Sequence, residues 1–388
     1  MRIVHIIPYM HPAAGGPPVV VDWLSRELAV RGHELRVLTT DLFAGGDSTW
    51  THGSDRPYDL SVYPSVAGNG YGFSPRLWKA IRSEVQKCDI VHIHTLWTFA
   101  SLAAERACVR AKAPFLVMPH GMLDPYSMRR GWLKKQGYGR FLEWPLLRKA
   151  RGICYTHPEE QRLASLTCRQ LPPGHIVELA AEPAPSAPRD ELRSEFRARY
   201  PVLADKTVLL FLGRLHPKKG LDLLIPAFEI VHREQPEAHL LLVGPGDPSY
   251  VESIRAEIAK RNLEPYVTLT GPLYGRDKWA AQAASDLFVL PSYQENFAIS
   301  VAEALRSGLP VVLSRRVNVW NDIVEAGAGR DCELDVPSLA GTLTQCLTDT
   351  DWRRHAAEAG AALLTRRFNW KTTAERLEMI YEKSLAHN

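Results

Sequence analysis

An α/β architecture of two successive, doubly wound units is what this sequence predicts. Three observations carry the prediction. Short apolar runs recur through both halves with helical pattern between several of them, as expected of parallel strands buried on both faces. At 388 residues the chain exceeds what one ordinary core fills and suits two domains of nearly equal size. A Pro/Ala stretch over residues 180–188, unable to pack as helix or strand, separates the two sets of runs and suits a hinge.

In the first half the strand runs are residues 3–7, 34–39, 90–94, 115–118 and 152–156; in the second they are 208–212, 239–243, 267–270, 287–290 and 311–313. The expected domains are 1–182 and 189–369, with a terminal helix over about 370–388 packing back on the first. Ligands are expected between them, since open α/β sheets bind at the carboxyl ends of their strands. No repeat strong enough for a solenoid is present.

Composition narrows the class. No apolar run approaches the roughly 18 residues of a spanning helix. The opening Met1-Arg2-Ile3-Val4-His5-Ile6-Ile7-Pro8 enters a strand at once, unlike an export signal, so a cytoplasmic location is expected. Six cysteines without a CxxC pair indicate neither a disulfide framework nor a zinc site. The net charge of +4 is uneven: residues 127–151 hold eight basic groups against Glu143, a net +7, leaving −3 for the rest. Trp132, Leu133, Tyr138, Phe141 and Trp144 interleave with those charges. That mixture fits a helix lying on an anionic membrane face, with Arg129, Arg130, Trp132, Lys134 and Lys135 as contact residues. A solvated helix with a few core aromatics is the plainer alternative. Nucleic acid is disfavoured, because one patch on a near-neutral protein comes with no recognised motif.

The chemistry-bearing pattern is Glu295-x7-Glu303, directly after the apolar run at 287–290. It reads as strand, loop, then a helix ending at Gly308, with both carboxylates able to face one site. Acceptor-only groups there suit a ligand rich in hydroxyls. Arg214 and Lys219 follow the first strand of the second half in a Gly-bounded loop, where an anion would meet fixed cations; Lys218 beside them reads as solvated. Gly15-Gly16-Pro17-Pro18 opens a helix after the first strand and can present its N-terminus to a phosphate. His120 follows a buried strand; a lone histidine is usually structural, but a place at the strand's carboxyl end also suits a hydrogen-bond donor to a bound ligand. His92 and His94 alternate on one strand without an apparent third metal ligand, so fold support is expected, with His94 near an acceptor. Asp124 is either an acceptor contact or a turn residue.

Two motifs are decoys. Asp349-Thr350-Asp351 has the DxD form of metal-dependent transferases, but it precedes a helical pattern that an aspartate would cap. Gly244-Pro245-Gly246-Asp247-Pro248-Ser249 starts like a dinucleotide fingerprint and lacks its third glycine.

Together Glu295-x7-Glu303, Phe211 to Gly220, Leu242 to Asp247 and the Gly15-Gly16 loop resemble the retaining GT-B glycosyltransferases of family 4, in order and spacing along nearly the whole chain. The resemblance implies two facing Rossmann-like domains with an interdomain cleft. It implies a nucleoside-diphosphate sugar held mainly by the second, an acceptor held by the first, and no metal or other cofactor. It assigns Arg214 and Lys219 to the diphosphate, Glu303 to the ribose hydroxyls and Glu295 to the transferred sugar. Donor contacts would also involve Gly15, Gly16, Asn296, Phe297, Ala298 and Ile299, with His120 beside the reaction centre. The chain departs from the family at Ala298 and Asn296, where many relatives carry glycine, which bears on sugar identity. The expected activity is retaining transfer from a nucleotide sugar to a glycan or lipid-linked glycan, in bacterial polysaccharide or lipopolysaccharide assembly at the inner membrane face. A GT-B sugar-nucleotide 2-epimerase, a phosphorylase and a non-catalytic sugar-nucleotide sensor remain alternatives.

Overall fold

The structure is a computed structural model and describes residues 1–11, 14–45, 56–66, 70–129, 131–168 and 170–386, without the side chains of Lys134 and Gln136. The chain divides into two compact units, Met1–Leu179 joined by Trp370–Asn388, and Ala180–Asn369.

The first unit holds a seven-stranded sheet of β1 (Arg2–Tyr9), β2 (Glu34–Thr40), β3 (Asp59–Tyr63), β4 (Ile90–His94), β5 (Phe115–Met118), β6 (Gly152–Tyr155) and β7 (Gly174–Ile176), in the order β3-β2-β1-β4-β5-β6-β7. All its pairings are parallel. Parallel strands require crossovers that cover both faces, which is why β1, β4 and β5 are buried almost throughout. One face packs Val4, Ile6, Val91 and Ile93 against the helix Phe99–Ala111 and its neighbours. The terminal helix Trp370–Ala386 lies against the helix Gly16–Val30. It is fastened by Glu378, which accepts from Arg31 Nε at 2.8 Å and faces His33 Nε2 at 2.8 Å, and by Thr373 donating to the Glu178 carbonyl at 2.7 Å.

The second unit repeats the plan with β8 (Thr207–Leu212), β9 (Ala238–Val243), β10 (Val267–Gly271), β11 (Leu287–Leu290), β12 (Val311–Ser314) and β13 (Gly329–Cys332), ordered β10-β9-β8-β11-β12-β13 and parallel throughout. The edge strands β3, β7 and β13 are not among the expected runs. They carry polar residues and are only partly buried, so no continuous apolar run marks them.

Strand order reverses between β1 and β4 in one sheet and between β8 and β11 in the other. At such a switch point the outgoing loops diverge to opposite faces and leave a crevice at the carboxyl ends. The loops after β1, β4, β8 and β11 carry most of the chemistry-bearing residues.

Candidate functional site

In the second unit the loop after β8 is fixed by close backbone approach. A Cβ on Gly244, at φ 148°, would run into the Gly213 carbonyl, and one on Gly220, at φ 73°, into the Pro291 carbonyl. Only glycine permits either contact. The Leu215 N–H donates to the Pro245 carbonyl at 2.7 Å, and the Tyr293 N–H to the Lys218 carbonyl at 2.9 Å. The loop bearing Arg214, Lys218 and Lys219 is thereby joined to the loop bearing Glu295.

Lys219 Nζ sits 2.8 Å and Lys218 Nζ 3.8 Å from Glu295 Oε1. Burial raises the Glu295 carboxyl, but Lys219, Lys218 and Arg214 outweigh it and hold the group below its ordinary value. Lys218, read from sequence as solvated, thus belongs to the cluster. Three cations around one carboxylate leave a surplus of about two positive charges, a match for a diphosphate. Arg214 is exposed at the rim.

Glu295 is held by its backbone: its N–H donates to the Arg316 carbonyl at 2.9 Å and its carbonyl accepts from Asn318 at 3.1 Å. Asn318 also donates to the Asn296 side chain at 3.3 Å. The Phe297 ring turns inward against Phe368, 5.3 Å between centroids, so only its backbone is available to a donor. Ala298 adopts the left-handed φ of 56° and opens the helix Ile299–Arg306 without a side-chain cap, leaving the first amide groups of Ile299 and Ser300 for a ligand.

Glu303 lies one turn into that helix and is 3 % exposed. Lys278 donates to it at 2.7 Å and to Glu182 at 2.7 Å. Burial, eased by Lys278 and reinforced by Glu182, pushes the Glu303 carboxyl up to about 6. Burial pulls the Lys278 ammonium down, while Glu303 and Glu182 overcome it and hold it above the ordinary lysine value. Neither partner was found from sequence. Lys278 sits in an ordinary helical pattern, and Glu182 belongs to the stretch read only as a hinge.

In the first unit Gly15 precedes the helix Gly16–Val30, whose N-terminus has no side-chain cap and a proline in its first turn. His120 follows β5 at φ 51°, a conformation uncommon outside glycine. Gly121 donates to Glu160 Oε1 at 2.6 Å, and Glu160 Oε2 accepts from the Thr156 N–H at 2.7 Å, so a buried carboxylate missed from sequence pins the turn. His94 Nδ1 and His120 Nε2 are 3.1 Å apart. Burial holds both rings far below ordinary histidine basicity, His120 at about 3.

Both residues named for an acceptor are buried, and Asp124 takes the turn role, one of its two expected readings. His94 is fully buried against His120 and offers an acceptor no surface. Asp124 accepts from the Tyr126 N–H at 2.7 Å. His92 and His94 also gain a third ring that their strand could not show. His5 on β1 stands beside them, and one ring nitrogen from each lies within 4.8 Å of the others. Tyr381 from the terminal helix closes this column, 2.7 Å from His92 Nδ1 and 3.3 Å from His5 Nε2.

The basic segment forms helices Pro125–Arg129, Trp132–Tyr138 and Trp144–Leu147 around a π turn, Gly139–Glu143. Leu133 and Phe141 are 76 % and 75 % exposed, and Trp132 54 %. Arg129 is exposed, whereas Lys135 turns back to donate to the Ser127 carbonyl at 2.5 Å. Arg130 and the Lys134 side chain lie outside what the structure describes. Glu143, the segment's one acid, is buried; burial pushes it up to about 7 while the Trp97 N–H partly opposes. The exposed face is therefore free of its only carboxylate. No helix among the described residues is long and apolar enough to cross a membrane. Asp349 caps the helix Thr350–Arg366 by accepting from the Trp352 N–H at 2.9 Å, which accounts for the DxD pattern.

Residues 193–362 match the family model described as glycosyl transferases group 1, and residues 15–202 the glycosyl transferase 4-like domain. A D-inositol 3-phosphate glycosyltransferase of Kineococcus radiotolerans is 29 % identical, over 98 % of this chain and 94 % of its own. A phosphatidyl-myo-inositol mannosyltransferase of Mycobacterium leprae is 28 % identical over 98 % and 96 %. Among solved structures, Anabaena Alr3699/HepE in complex with UDP and glucose has a TM-score of 0.79 at 20 % identity, covering 99 % of this chain and 100 % of that one. The two family models overlap over residues 193–202 and together run from 15 to 362, so the chain carries a glycosyl transferase 4-like domain followed by a group 1 glycosyl transferase domain, on a GT-B fold.

Proposed function

We propose that this glycosyltransferase moves a sugar from a nucleoside-diphosphate donor to an acceptor hydroxyl with retention of configuration and without a metal. The observation that carries the reading is the pairing at the β8/β11 switch point: a cation-rich loop around Glu295 and, one turn into the helix that follows it, a buried Glu303. Leaving-group charge grows on the diphosphate as the glycosidic bond breaks, and Arg214, Lys218 and Lys219 answer it with fixed positive charge. Glu303 accepts from the ribose hydroxyls and Glu295 from the sugar, while His120 donates to sugar or phosphate. The acceptor attacks the face from which the diphosphate leaves, and a phosphate oxygen takes its proton.

The exposed Trp132, Leu133 and Phe141 beside Arg129 and Arg140 support an acceptor at an anionic membrane face. Lipid-linked glycans are the first acceptors to try, and inositol phosphate and phosphatidylinositol enter the panel through the names of the relatives.

The test begins with thermal shift against UDP-, GDP- and ADP-sugars, since a ligand bound only by the native state raises the melting temperature. Product anomers from the donor that binds are then read by NMR, with and without chelator. Retained configuration and chelator-insensitive transfer are expected; inversion, or loss with chelator, refutes the corresponding part. Conversion of donor alone would mark an epimerase. Glu303→Ala is expected to weaken free nucleotide, and Glu295→Ala to spare it while impairing the sugar donor.

A further inference from the structure

His94 ends β4 and His120 begins the loop after β5, and their rings stack at 5.4 Å with 29° between planes. Both are neutral near physiological pH, so each carries one proton and one bare nitrogen. Their 3.1 Å contact is a hydrogen bond only if one ring holds its proton there and the other does not. The remaining nitrogen of His94 decides which. His94 Nε2 is buried with no hydrogen-bond partner. An N–H at that place would be an orphaned buried donor, which is costly, whereas under-satisfied acceptors are better tolerated. The proton of His94 therefore belongs on Nδ1.

We propose that His94 is a positioning residue: its Nδ1–H donates to His120 Nε2, fixing His120 as the Nδ1–H tautomer that offers a donor to the substrate. The role in transfer rests on the reading of His120 given above. The tautomer itself does not. With Nε2 occupied, the half-buried His120 ring has only its Nδ1–H to give, and cannot act as a general base at that edge. The turn pinned by Glu160 fixes the backbone of this ring, and the fully buried His92 ring, stacked 4.4 Å from His94, backs the donor. Sequence alone gave His94 fold support and a place near an acceptor; its burial sets it behind His120.

Long-range nitrogen–proton correlation on protein labelled with 15N at histidine separates bare from protonated ring nitrogens, and loss of signals in His120→Gln assigns that ring. Wild type is expected to show His120 protonated at Nδ1 and bare at Nε2. In His94→Leu the pattern shifts toward Nε2–H, and kcat falls about tenfold with donor KM little changed. His94→Asn, whose amide reaches the same place, is expected to restore both. A wild-type His120 protonated at Nε2, or an unaltered His120 pattern in His94→Leu, would overturn the assignment. Should His94→Leu not fold, the wild-type spectrum decides alone. Absence of sugar transfer by protein with the expected pattern would count against the transfer reading and leave the tautomer standing.

Discussion

The strand ends of the two units hold their side chains by opposite means. After β8 and β11 the groups are charged and paired: lysines on Glu295, and a lysine between Glu303 and Glu182. After β4 and β5 they are neutral rings, ordered by burial and single hydrogen bonds. The difference teaches what each unit is built to meet. Fixed cations are of use against a ligand that carries or develops charge, and they stay charged because carboxylates accompany them. Neutral imidazoles give direction at little electrostatic cost, which suits hydroxyl groups.

Charge removal in the second unit should therefore cost more than any neutral change. Lys219→Ala is expected to lower kcat by about 100-fold, and more than His120→Ala does. Steady-state kinetics on both variants checks the order, and a larger loss at His120 would break the comparison. Next comes Lys278→Met, which leaves Glu303 and Glu182 buried together without their ammonium. Removing one partner of such a pair costs about 3 kcal/mol, to be read from urea unfolding.

A pH series sharpens the contrast inside the second unit. Glu303 is raised from 4.5 to about 6, so between those values the native state holds a proton that the unfolded chain has lost. Its contribution to stability is full below 4.5 and falls as pH rises through about 6. Glu295 runs the other way: its lowered carboxyl contributes stability above the unfolded value that is lost as pH falls. Melting curves should show Glu303→Gln gaining on wild type as pH climbs through that window, and Glu295→Gln gaining on wild type as pH falls through the acid range. Parallel curves for all three proteins would contradict both signs. The smallest effect is expected at Ala298, whose left-handed backbone favours glycine: Ala298→Gly should add about 1 kcal/mol, seen as a higher melting temperature.

Much of this architecture was legible in the sequence. The interior strands of both sheets follow their apolar runs within a residue or two, because burial on both faces leaves few polar positions, mostly histidines, to interrupt the pattern. The edges β3, β7 and β13 escaped because polar residues or glycine interrupt each of them. Loop residues such as Glu295 and Lys219 could be nominated from spacing and family likeness, yet their salt bridge could not, for it depends on β8 and β11 being neighbours. Lys278, Glu182, Glu160 and His5 escaped for the same reason: each matters through a partner distant in sequence. Lys278 and Glu303 are 25 residues apart, Gly121 and Glu160 39. Fold support by His94 was legible in its strand, but its contact with His120 was not, because strand alternation gives a face and not a depth.

The helix Trp370–Ala386 has a consequence for how the molecule is made. It brings Tyr381 to the histidine column and Glu378 to Arg31, so the unit begun first on the ribosome lacks a wall until the last helix emerges. Residues 180–369 have their own core and can complete it earlier. The first unit is thus completed only by residues that follow the second, and a chain cut short before Trp370 would retain the charged loops while leaving the neutral rings without Tyr381.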